Sequence, residues 1–138
     1  IGENIKLVEA VRAEGVEADG IVAGVIEADY LDKEKYGYVG EPTNVRLGML
    51  RSIVNSGAVP ILTCLGIAPG GQLLNINGDS ATRAVVAALQ PLKVIFLTGT
   101  GGLLDKHKRL MHSINLASDY EKLMKADWVN GGMRLKLA

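Results

Sequence analysis

Cysteine is almost missing from this sequence: Cys64 is the only one in 138 residues. That excludes an internal disulfide and a cysteine-rich metal site. The same scarcity fits a reducing compartment. An excess of charge of either sign is missing too, since Lys and Arg together number 15 and Asp and Glu also number 15. Such a balance leaves no electrostatic footprint for nucleic acid or a membrane surface, so neither is expected as a partner. No apolar run reaches the roughly 18 residues of a membrane span. Histidine is limited to His107 and His112. They stand five apart with no acidic or cysteine partner at ligand spacing, so they read as surface residues, and no metal site is expected. Ile1-Gly-Glu-Asn4 has neither signal- nor transit-peptide character and no initiator Met. Leu135-Lys-Leu-Ala138 breaks off without a capping glycine. Both ends read as cut, and the chain is expected to be a piece of a longer one.

What is present suffices for one domain: 48% of the residues are hydrophobic and 22% are charged. The chain is organised around Gly71 to Asp105, which reads as strand, polar loop, helix, strand and glycine loop. Leu73 and Leu74 open a short apolar run that ends in Asn75-Ile-Asn-Gly-Asp79. Asp79-Ser80 read as a helix start, because short polar side chains accept from the free N–H groups of a first turn. Ala81, Ala84, Val85, Ala88 and Leu89 recur at helical spacing, and Pro91 stops the helix. Lys93-Val-Ile-Phe-Leu-Thr98 has the continuous apolar, β-branched character of a strand covered on both faces. Gly99-Thr-Gly-Gly102 follows it. Both special clusters thus stand where strands end, the place where open α/β sheets bind ligands. Asn75, Asn77 and Asp79 offer amides and a carboxylate to a polar substrate. Gly99, Gly101 and Gly102 let backbone N–H groups approach an anion. The loop fits neither GxGxxG nor GxxxxGK[ST], and a plain tight turn explains it equally well.

Elsewhere, Glu3 to Glu14 reads as a helix stopped by Gly15, and Val16 to Ala28 as two short strands. Asp29 to Tyr36 is a surface hairpin or loop. Tyr38 to Thr43 is a strand whose Pro42 places it at an edge or strand end. Asn44 is expected to cap a helix from Val45 to Ser56, with Leu47, Leu50, Ile53 and Val54 inward and Gly57 closing it. Val59 to Cys64 is a buried strand with Cys64 as a core thiol, and Gly66 to Gly71 turns the chain back as a hairpin. The basic turn Lys106 to Arg109 sits between Leu103–Asp105 and Leu110–Ile114 as a second hairpin. Ser118 is expected to cap a helix through Lys125, and Trp128 to pack the loop that follows. A last helix begins at Gly131. Arg46, Arg51 and Arg83 read as solvated, with Arg83 close enough to Asp79 to approach a ligand. No linker separates two domains, and the element order is that of an α/β protein with hairpin insertions.

Four ordered blocks carry a resemblance: Gly71-Gln-Leu-Leu-Asn-Ile-Asn-Gly-Asp79, Pro91-Leu-Lys-Val-Ile-Phe-Leu-Thr98, Gly101-Gly-Leu-Leu-Asp105 and Gly131-Gly-Met-Arg-Leu-Lys136. Together the chain resembles N-acetylglutamate kinases of the amino-acid-kinase family from Glu3 onward. Val39-Gly-Glu-Pro-Thr43, Leu62-Thr-Cys-Leu-Gly66, Ile114-Asn-Leu-Ala117 and Ala126-Asp-Trp-Val129 resemble the vertebrate-like synthase/kinase branch, in which an acetyltransferase domain follows the kinase fold. The resemblance implies a carbamate-kinase-like three-layer sandwich with a mainly parallel sheet, of which residues 1–138 are the central part. It implies ATP-dependent phosphorylation of the γ-carboxylate of N-acetyl-L-glutamate, with Mg2+ accompanying ATP, and acetyl-CoA only where an acetyltransferase domain follows. Asn75 and Asn77 would bind the acetylated amino acid. Asp79 would hold catalytic lysines in register, Lys136 being one of them. Thr98, Gly99, Gly101 and Gly102 would meet the nucleotide. Self-association, arginine as an effector, and a mitochondrial matrix (eukaryotic) or cytoplasmic (bacterial) location are further implications.

The sequence departs from the family pattern at three places. The lysine-glycine strand, second glycine loop and substrate-gripping arginine of the family have no counterpart here. Neither does its C-terminal nucleotide segment. Gly78 and Gly99 stand where many members carry Ala and an acidic residue. The isolated piece is therefore expected to be inactive. A regulatory or scaffolding kinase-fold domain, or a non-catalytic part of a larger assembly, stands as the alternative. Read without the family, Asp79 is a helix cap, Lys136 a solvated lysine, and Asn75 and Asn77 satisfy backbone groups at a strand end.

Overall fold

The computed structural model describes residues 1–129 and 131–137. Ala138, the end of the C-terminal segment read as cut, lies outside the described residues. The chain divides into two compact units, Ile1–Gln90 and Pro91–Ala138.

The first unit opens with helix α1 (Gly2–Ala13), which turns Asn4 and Val8 inward. Gly15 ends it at φ 79°, a conformation glycine adopts without penalty. Strand β1 (Ala18–Ile21) then pairs in parallel with β4 (Val59–Leu62), Ala18 facing Val59. Val8, Ala18 and Ile61 pack as one core cluster. Asn4 is a buried polar side chain, and it is satisfied by donating Nδ2 to the Ile61 carbonyl at 2.7 Å. Gly20 permits this approach: a Cβ there would stand 2.5 Å from Asn4 Oδ1.

Strands β2 (Ile26–Tyr30), β3 (Val39–Val45), β5 (Leu65–Ile67) and β6 (Leu73–Ile76) close a small barrel in the order β2-β3-β6-β5. β2 and β3 run antiparallel, as do β5 and β6. β3 with β6 and β2 with β5 run parallel. The expected hairpin after Asp29 is present, but its connection carries a single helical turn, α2 (Lys33–Tyr36), capped by Asp32. Pro42 sits beside a bulge, where the register shifts between Glu27 and Ala28, one of the few sheet positions that tolerates a proline. Ile21, Val25, Ile26, Ala28, Leu50, Leu74, Ile76 and Ala81 fill the second core cluster. Gly66 makes room at its centre, since a Cβ there would meet Ile76 and Ala28 at 2.5 and 2.6 Å.

Several expectations are corrected here. Asn44 stays in β3 and gives its amide to Glu27 at 2.7 Å, so helix α3 (Leu47–Asn55) starts instead from Arg46 with no side-chain cap. Hydrogen bonds from Asn44 and then Arg46 hold the Glu27 carboxyl below its usual range. Val54 is exposed rather than inward, while Leu50 is the buried residue of α3. Cys64 is exposed and free, because the chain turns from β4 into β5 there.

In the second unit, Lys93–Thr98 forms no ladder among the described residues. Leu92, Ile95 and Leu97 are 98%, 79% and 94% exposed. A strand covered on both faces needs neighbouring strands and a layer on each side, and among its described residues this unit offers only the antiparallel bridge Leu104↔Leu110. That bridge is what remains of the expected second hairpin. Helix α5 (Leu116–Lys125) begins three residues earlier than expected: Asn115, not Ser118, caps it, its Oδ1 accepting from Ala117 N at 3.0 Å. Helix α6 (Gly131–Leu137) follows as expected.

Candidate functional site

β6 delivers the polar block in the first unit. Side chains alternate along a strand, so Leu74 and Ile76 enter the core while Leu73 and Asn75 face outward. The Asn75 N–H donates to the Tyr38 carbonyl at 2.8 Å, which fixes the residue against β3. At Asn77 the backbone leaves the strand, with φ −57° and ψ 132°, and helix α4 (Gly78–Leu89) begins. Asn77 Oδ1 accepts from the N–H groups of Asp79 at 2.9 Å and Ser80 at 3.3 Å. The cap of this helix is therefore Asn77, which corrects the reading of Asp79-Ser80 as the helix start. Asp79 is half-buried in the first turn, where a carboxylate faces the positive end of the helix dipole. Arg83, one turn on, pairs with Glu41 at 3.4 Å on the surface. The helix ends at Gln90 in the left-handed conformation, just ahead of Pro91.

The second unit holds a cavity of about 430 Å3. Thr98, Gly99 and Gly102 of the glycine loop line it together with Lys136 of α6. Gly101 shapes the turn from outside the lining: at φ 75° it donates its N–H to the Thr98 carbonyl at 3.2 Å. Thr100 Oγ1 stands 3.3 Å from Thr98 Oγ1 and donates to the Gly102 carbonyl at 2.9 Å. The Lys136 ammonium lies 5.9 Å from the centroid of the Phe96 ring and 3.5 Å from the Gly132 carbonyl. Leu103, Leu104, Trp128 and Met133 supply the apolar lining. A polar loop, a cation and apolar side chains around one volume can hold an anionic group attached to an apolar body.

Next to this cavity, Asp105 organises the basic turn. Oδ1 accepts from the N–H groups of His107 at 2.8 Å and Arg109 at 2.9 Å, and Oδ2 from the Arg109 guanidinium at 2.9 Å. These bonds, the Arg109 N–H foremost, bring its carboxyl down to about 2. His107 and His112 are exposed, and among the described residues no three His, Cys, Asp or Glu side chains group as a metal site.

Asn75, Asn77 and Asp79 are thus neighbours in one unit, and Thr98, Gly99, Gly102 and Lys136 share a cavity in the other. Trp128 is the functional candidate that sequence reasoning missed. It reads as loop packing because nothing in its spacing ties it to the glycine loop.

The ladders and helices define a mixed α/β protein, and solved structures share the arrangement. The crystal structure of smu.665 from Streptococcus mutans UA159 matches with a TM-score of 0.83 and 33% identity, over 95% of this chain and 54% of that one. N-acetylglutamate synthase from Neisseria gonorrhoeae, solved with coenzyme A and L-arginine, matches with a TM-score of 0.72 and 18% identity, over 99% of this chain and 35% of that one, and shares the fold.

The chain belongs to the amino acid kinase family, which it matches across residues 1–138. It is 49% identical to the acetylglutamate kinase of Xanthomonas campestris pv. campestris over 97% of its length and 32% of that protein. It is 42% identical to the mitochondrial protein arg-6 of Neurospora crassa, over 98% of its length and 16% of that protein. The chain therefore spans about a third or less of these relatives.

Proposed function

We propose that the protein carrying this chain transfers a phosphoryl group from MgATP to the γ-carboxylate of N-acetyl-L-glutamate, with these residues supplying part of the site. The observation that carries this reading is the cavity in which Lys136 stands with Thr98, Gly99 and Gly102. Phosphoryl transfer asks a protein mainly for positioning and for stabilisation of charge spread over the transferred oxygens. A lysine beside backbone N–H groups of a glycine loop meets that demand. The acceptor is taken from the relatives named acetylglutamate kinase. Asn75 and Asn77 would bind the substrate at the end of β6, Asn77 also fixing the entry of α4. Asp79 would keep catalytic lysines in register, and Lys136 would meet the transferred phosphoryl group. The magnesium ion would be held largely by the nucleotide phosphates and water, as is usual for this ion.

The same reading includes self-association and arginine as an effector, and a compartment that follows the source organism. The test is ADP release by the full-length protein with MgATP, with and without N-acetyl-L-glutamate. Substrate-dependent turnover is expected, together with its loss in Lys136→Met. ATP binding without turnover would favour a regulatory kinase-fold domain instead.

A further inference from the structure

Trp128 is the chain's single tryptophan, and the kinase reading assigns it nothing. It lines the cavity of the second unit and is half-buried, whereas its neighbour Val129 is 1% exposed and belongs to the interior. The two adjacent residues thus do different things: Val129 packs, and Trp128 lines the cavity. The segment that carries it is held in place. Arg134 of α6 donates its guanidinium to the Ala126 carbonyl at 3.1 Å, and the Val129 N–H donates to the same carbonyl at 3.1 Å. These bonds tie the turn bearing Trp128 to the helix that brings Met133 and Lys136 to the same volume.

Chemistry divides the lining. Lys136 and the glycine loop suit an anionic chain. Trp128, Leu104 and Met133 in the same lining suit a flat aromatic body of the same ligand. We propose that Trp128 is the wall on which the base of the bound nucleotide stacks, which makes it a specificity-determining residue. The proposal rests on the kinase reading and adds the recognition of the base to it. A large aromatic face loses little entropy on binding, and stacking on it distinguishes a nucleotide from a bare polyphosphate.

Equilibrium binding of MgATP and of magnesium tripolyphosphate to the full-length protein tests this, using wild type, Trp128→Phe, Trp128→Ala and Lys136→Met. Trp128→Ala should weaken MgATP binding on the order of tenfold while leaving tripolyphosphate unchanged. Trp128→Phe should fall between. The fluorescence difference between wild type and Trp128→Phe should be quenched by MgATP and not by tripolyphosphate. Equal losses for both ligands in Trp128→Ala would make the residue structural and overturn the proposal. So would unchanged MgATP affinity; if Lys136→Met still abolishes turnover in that case, the kinase reading survives without the stacking wall. A wild-type protein that binds neither ligand removes the kinase reading and this proposal together. The Trp128→Phe pair decides the matter even if the alanine variant fails to fold.

Discussion

At the residue scale, Asp79 and Lys136 separate structural from chemical explanations. Asn77 caps α4, so Asp79 is relieved of that role. A carboxylate kept half-buried in a first turn can order nearby cations, which a cap alone would not require. In the full-length protein Asp79→Asn should therefore lower kcat much more than it raises KM for N-acetyl-L-glutamate. The amide keeps the shape and removes the charge, and an interaction made mainly in the transition state registers in kcat. A loss on the order of 10²–10³-fold is expected. Lys136→Met should act similarly, and on the proposed kinase reading the double variant should cost less than the two losses combined. Steady-state kinetics on the three variants decide this; a kcat within about twofold of wild type for Asp79→Asn would leave the residue a purely structural role. What residue type and order made legible are the candidate residues themselves, Asn75 and Asp79 in one recognisable block of the first unit and the glycine loop and Lys136 in blocks of the second. Trp128 was not legible, because burial and cavity lining depend on which residues α6 brings alongside it. Nor was the exposure of Cys64, an apolar residue at a strand end whose surroundings are set by where the chain turns.

At the scale of elements, β1 to β4 and β6 and the longer helices of the first unit fall largely within the stretches read for them, whereas β5 (Leu65–Ile67) lies partly in the stretch read as the Gly66–Gly71 turn, and it is β5, not β4, that pairs with β6. The helix starts could not be read as well. Both α4 and α5 offer two polar candidates within three residues, Asn77 before Asp79 and Asn115 before Ser118. Either side chain can cap, and only backbone geometry chooses. In each case the upstream asparagine has the non-helical backbone a cap needs. Lys93–Thr98 fails differently: its composition describes a covered strand, and composition cannot supply the ladder. The turn at Asp105 gives an element-scale prediction. Its carboxyl lies at about 2 against an ordinary 3.8. A pKa lowered by folding contributes stability above the unfolded value and loses it as pH falls through the folded one. The turn should therefore stay ordered at pH 4 and loosen between about pH 4 and pH 2. Asp105→Asn should remove that step. NMR titration of the His107 and Arg109 amides reads it directly, and amide shifts that stay flat from pH 5 to pH 2 would sink the idea.

At the scale of the whole chain, the two units differ in how much apolar surface they bury. The first holds two core clusters, a closed four-stranded barrel and a parallel strand pair covered by α1. Among the described residues of the second, Leu123 and Val129 are the fully buried apolar side chains, while Leu92, Ile95 and Leu97 stand in solvent. Folding must offset roughly 1–2 kcal/mol of backbone entropy per residue, and burial of apolar area is the main opposing term at about 25 cal/mol per Å2. A chain of about 50 residues with two buried apolar side chains is far from closing that gap, as small units without a disulfide or metal usually are. Residues 1–90 expressed alone should thus unfold cooperatively on heating. Residues 91–138 expressed alone should give a flat thermal trace, poorly dispersed amide resonances and no MgATP binding. Circular dichroism and a proton–nitrogen correlation spectrum on the two pieces test this. A sharp transition from the second piece would mean that its few contacts suffice, and that the exposed Leu92–Leu97 run is no obstacle to its order.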